Sequence, residues 1–115
     1  MATKVQKYVD NGDDTFSPAL GPVTIAAAST AAVTSVASSA TVVTVLASNS
    51  SRKGGSIFND STQVLTIKAG AGASQTSLTA KISVGGYYEI PFNYTGVITG
   101  LWVSADGSAR VTEYA

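Results

Sequence analysis

The residues able to do chemistry in this chain are few, and they lack their usual partners. Serine and threonine hydroxyls are abundant, but there is no histidine to act as their base and no cysteine to act as a nucleophile. A serine–lysine dyad is left formally open by Lys53, Lys68 and Lys81, none of which stands in a recognisable motif. A glycosidase pair needs two carboxylates across a cleft. The seven acidic residues are Asp10, Asp13, Asp14, Asp60, Asp106, Glu89 and Glu113, and most fall in expected turns. The run Asp10-Asn11-Gly12-Asp13-Asp14 invites a calcium test, because that ion takes several oxygens from one loop. An EF-hand loop begun at Asp10 would need glutamate at its twelfth position, where Gly21 stands. No Gly-Lys-Ser/Thr phosphate cradle occurs. The expectation is a protein without enzymatic activity, cofactor or resident metal.

What remains is recognition chemistry. Tyr87, Tyr88, Phe92, Tyr94 and Trp102 form an aromatic cluster that fits a core or an interface. The same side chains can stack on sugars. In that alternative Tyr87, Tyr88, Tyr94 and Trp102 are the platforms, and Asp106 or Asn93 grips hydroxyls. Arg52 and Lys53 form a small basic spot, read either as a solvated loop or as a contact to an acidic patch on a partner. Seven basic residues balance seven acidic ones. That balance offers no footprint for nucleic acid or an anionic membrane. Three Asn-x-Ser/Thr triplets, beginning at Asn49, Asn59 and Asn93, read as chance in so Ser/Thr-rich a chain.

The elements that must position these residues are strands. Small and β-branched residues dominate, and charged residues make up 12% of the 115, about half the ~25% of an average soluble protein. So little charge reads either as a well-folded β domain with a Ser/Thr surface or as a surface largely covered by partners in a permanent assembly. The patterning predicts strands over 41–47, 56–59, 63–69, 76–82, 87–90, 97–104 and 108–114. Pro91 stops the strand at 87–90, and Ala105-Asp106-Gly107 is a strong hairpin signal. Residues 23–40 are a low-complexity Ala/Ser/Thr/Val run, read as an extended linker or irregular strands. Residues 3–20 read as a hairpin or an extended arm around Asn11-Gly12. No apolar run precedes a small-residue cleavage site, so no signal peptide is expected. Residues 23–46 are too often interrupted by Ser and Thr to cross a membrane. The expected organisation is an arm over 1–40 and a domain over 41–115. The class is all-β, a β-sandwich or jelly roll of about seven to eight strands.

One ordered set of motifs carries a resemblance. The run Val45-Leu46-Ala47-Ser48-Asn49-Ser50-Ser51-Arg52-Lys53-Gly54-Gly55-Ser56-Ile57-Phe58-Asn59-Asp60-Ser61 resembles a pattern common in small virion proteins of tailed bacteriophages. Gly85-Gly86-Tyr87-Tyr88-Glu89-Ile90-Pro91, Tyr94-Thr95-Gly96 and the stretch from Gly100 to Glu113 fit the same pattern, which spans about residues 41–114. Ser48 stands where alanine is usual, and Gly55 where an apolar residue is usual. The resemblance implies a virion structural protein located on the capsid surface, a decoration or cement protein. Its partners would be the major capsid protein and further copies of itself, a trimer being favoured. Arg52 and Lys53 would then be capsid contacts. The alternatives are a fibre or adhesin module that binds host glycans, and a tail or connector subunit.

Overall fold

The computed structural model describes residues 27–115. The hairpin or arm expected over 3–20, with its turn at 10–14, lies outside them. The described residues form eight strands and no helix. They are β1 (Ala31–Ala37), β2 (Val43–Leu46), β3 (Gly54–Ser61), β4 (Leu65–Ala69), β5 (Ala80–Ile82), β6 (Tyr87–Ile90), β7 (Ile98–Trp102) and β8 (Gly107–Tyr114). Two four-stranded antiparallel sheets result, ordered β1-β8-β3-β6 and β2-β7-β4-β5. Only β4 and β5 follow one another within a sheet, and every other connection crosses from one sheet to the other.

The pairings reveal a simple path. β1 pairs with β8, β2 with β7, β3 with β6 and β4 with β5, all antiparallel. The described residues thus form one long two-stranded ribbon with its tip at residues 70–79. The ribbon is rolled so that β8 also meets β3 and β7 also meets β4.

Alternation explains the core. Ile57, Ala109, Val111 and Ile90 face inward from the first sheet, and Val45, Leu65, Ile67, Ile82, Ile98 and Trp102 from the second. The hairpin expected at Ala105-Asp106-Gly107 is not formed: the chain bends at Val103-Ser104, and Gly107 opens β8. β7 and β8 lie in different sheets, so this segment carries the chain across the sandwich. Gly107 has φ +91°, and a Cβ there would stand 2.7 Å from the Asp60 carbonyl oxygen. Gly107→Ala is therefore expected to cost about 1–3 kcal/mol in a urea titration. An unchanged midpoint would remove the argument.

Residues 23–40 were read as a linker or irregular strands. Within them β1 is a regular strand, paired with β8 at seven consecutive positions from Ala31↔Tyr114 to Ala37↔Ser108. It buries almost nothing: six of its seven residues are exposed, and only Val36 packs against the core. Backbone hydrogen bonds, not apolar burial, hold it in place. No described helix is long and apolar enough to cross a membrane.

Candidate functional site

Each strand of the first sheet shows its alternate residues outward. Register places them in rows across β1, β8, β3 and β6. One row is Ser35, Arg110, Phe58, Tyr87, and the next is Val33, Thr112, Ser56, Glu89. Val33, Phe58 and Tyr87 are all exposed, Tyr87 to 70%. Among them Arg110 donates from Nε to Asp60 at 2.9 Å and from Nη1 to Ser35 Oγ at 2.7 Å. Both partners of that ion pair are half exposed, so it contributes little to stability.

The second sheet is different, because the chain covers part of it. The 70–79 tip folds back over its outer face. Thr99 Oγ1 donates to the Gly70 carbonyl at 2.7 Å and accepts from the Ala73 amide at 3.1 Å. Thr66 Oγ1 donates to Gln75 Oε1 at 3.2 Å. Thr66 and Thr99 are consequently buried although they point away from the core. One face of the sandwich is thus partly covered by its own loop, over Thr66 and Thr99 but not Thr44 or Lys81, and the other is open and carries exposed apolar groups.

A shallow groove of about 410 Å³ lies at one end of the open face. Gly54 sits at its floor, opposite Tyr114 in the register, while its neighbour Gly55 pairs with Ile90. Tyr114 borders one side and Pro91 and Phe92 the other, with Lys53 and Glu89 on the rim.

The aromatic cluster divides. Trp102 is buried in the core, where its Nε1 donates to Asn59 Oδ1 at 3.3 Å. Tyr88 and Tyr94 are half-buried against the core, and the Tyr94 hydroxyl donates to the Val97 carbonyl at 2.8 Å. Tyr87 and Phe92 are exposed. The four platforms expected for sugar stacking therefore do not gather on one face. Asn93 shapes the turn after β6, with φ +66°, and the Asp106 carboxylate accepts from Thr62 Oγ1.

Arg52 requires a correction. Read as a solvated or capsid-contacting residue, it is 1% exposed. Its Nε donates to Glu113 Oε2 at 2.8 Å, and its Nη1 to the carbonyls of Tyr94 at 3.0 Å and Gly96 at 2.8 Å. Its Nη2 donates to the Ala47 carbonyl. The guanidinium satisfies carbonyls from two connecting loops and the carboxylate of β8, a task for which its planar fork of donors is suited. A side chain so enclosed cannot reach a partner. Lys53 stays partly exposed, and its Nζ donates to the Ser51 carbonyl at 2.9 Å.

Asn59, which the sequence marks only as part of the resemblance run and of a chance triplet, is fully buried. Its Nδ2 faces the carbonyls of Gln63 at 2.7 Å, Ile82 at 2.9 Å and Ser83 at 3.3 Å. Its Oδ1 accepts from Ser61 Oγ at 2.6 Å as well as from Trp102. Only its place on the inward side of the β3 alternation, between apolar positions, could have marked it.

Among the described residues no three His, Cys, Asp or Glu side chains come close enough to hold a metal ion. What the geometry defines is a two-sheet all-β sandwich with one partly self-covered face and one open face. Comparison with protein-family models, curated proteins and solved structures finds no match to this chain.

Proposed function

We propose that this chain is a structural, non-enzymatic subunit of a tailed-bacteriophage particle, a decoration protein on the outer capsid surface. It has a jelly-roll core, binds the major capsid protein and associates with itself, a trimer being favoured. The observation that carries this reading is the rolled ribbon. An order of 1-8-3-6 facing 2-7-4-5, with pairs 1–8, 2–7, 3–6 and 4–5 along one ribbon, supports reading the two sheets as a jelly roll, an architecture used by viral capsid domains. The motif resemblance over residues 41–114 and the low charge support the same assignment.

The mechanism is mechanical. The open face docks on the shell and bridges adjacent capsid subunits. An interface of roughly 1,600 Å² repeated at every copy raises the work needed to burst the shell. Exposed Val33, Phe58 and Tyr87 supply its apolar contacts.

The test is addition of purified protein to particles that lack it. Saturable co-sedimentation and greater resistance of the shell to heat are expected. A double variant, Phe58→Ser with Tyr87→Ser, should bind at least tenfold more weakly while its own melting temperature moves little, since both residues are exposed. Absence of co-sedimentation would sink the decoration reading. A sedimentation-equilibrium mass of one chain would sink the trimer.

A further inference from the structure

We infer that the groove over Gly54 binds a neutral saccharide ring in the free protein, a role that does not rest on the virion reading above. Three observations converge. The first concerns the floor. A Cβ built on Gly54 would meet nothing within 4 Å, and the residue has no positive φ. Neither packing nor backbone conformation therefore calls for glycine. Its neighbour Gly55 contrasts with it, because a Cβ there would overlap the Thr112 carbonyl oxygen. The missing side chain at 54 leaves a hollow, and the groove of about 410 Å³ falls within the roughly 300–1,000 Å³ of small-molecule sites.

The second concerns the walls. Tyr114 is 44% exposed and Phe92 59% exposed, on opposite sides of Gly54. Adjacent strands lie about 4.8 Å apart, so the backbones flanking β3 stand about 9.6 Å from each other. A floor of that width takes one sugar ring rather than two side by side. The C–H faces of a pyranose suit such aromatic walls.

The third concerns the rim. Lys53 offers the N–H donors that its ammonium does not spend on the Ser51 carbonyl, and Glu89 offers acceptor oxygens. A hydroxyl both donates and accepts, so it can use both groups. Their charges cancel, so the rim selects neither a phosphate nor a cation. Apolar walls with a neutral donor–acceptor rim describe a sugar ring better than any charged ligand.

The test is titration of the ¹⁵N-labelled full chain with glucose, galactose, mannose and N-acetylglucosamine, followed by amide shifts. Saturable shifts of the Gly54, Gly55 and Phe92 amides at millimolar sugar are expected with at least one of them. Gly54→Leu fills the hollow and should abolish those shifts, with its melting temperature equal or higher because a strand loses a glycine. Val103→Ser, on an exposed residue beyond the end of β7 in the other sheet, should leave them unchanged. No saturable shift with any of the four sugars overturns the proposal. So do equal shifts in Gly54→Leu. Shifts of the same amides that follow protein concentration alone would make the groove a contact between copies instead, which also overturns it.

Discussion

Arg52→Ala is expected to destabilise the protein by about 3–5 kcal/mol, the usual cost of breaking a buried charge pair from one side. The substitution leaves the carbonyls of Ala47, Tyr94 and Gly96 and the carboxylate of Glu113 without their donor. Each unsatisfied buried group costs roughly 1–3 kcal/mol, so the total is set by how much water enters the gap. For a domain of this size, about 1 kcal/mol shifts the melting temperature by roughly 4–8 °C, so a fall of at least ~12 °C is expected. Arg52→Lys keeps the charge but not the fork of five donors, and should recover less than half of the loss. Glu113→Gln should cost under ~1.5 kcal/mol, because that side chain is 20% exposed and its amide oxygen still accepts. Thermal unfolding followed by circular dichroism separates these cases. If Arg52→Ala melts with Lys53→Ala, the guanidinium holds nothing together.

Asn59→Asp is expected to be nearly as damaging, at about 3 kcal/mol or more near neutral pH. The change puts an oxygen where Nδ2 now faces three carbonyl oxygens. Two hydrogen bonds are lost and a charge is buried without a partner. Burial among carbonyls raises the new carboxyl's folded-state pKa above its unfolded value of about 3.9. A raised folded pKa favours the protonated native state, so the deficit against the parent narrows as pH falls below the folded pKa toward about 3.9. It widens as pH rises through the folded pKa. Asn59→Ala lacks the charge, so its deficit should be smaller and flat with pH. Trp102 reports locally, since its Nε1 loses a partner in Asn59→Ala and its emission should shift before global unfolding. Equal stability of Asn59→Asp and the parent at neutral pH would refute the network.

Much of the fold could be read because local and global signals agree. Tyr87–Ile90 was delimited by the proline after it, and β8 by Gly107 and by the alternation of Ala109 and Val111 with polar neighbours. β1 was blurred because its Ala, Ser and Thr residues carry no apolar stripe, and its conformation comes from a partner more than seventy residues away. Asp106-Gly107 shows why turn chemistry does not name strand partners. The same left-handed glycine serves a hairpin or a crossing, and distant pairing decides between them. Tyr87 and Tyr88 were grouped as one cluster, yet successive strand residues point to opposite faces. Arg52 was misread because a charged residue in a polar loop looks solvated until two other segments close over it. The groove at Gly54 could not be seen in sequence, since it depends on which strands flank β3.

The thin attachment of β1 has a mechanical meaning. Ala31 lies beside Tyr114, so a load separating those two residues acts across the ladder and opens it one pair at a time, like a zipper. Little of the interior follows, because only Val36 of that strand touches it. The protein thus contains a strap that yields at low force and can re-close, while the Trp102-centred body keeps its shape. Under strain, such a part stretches before it fails.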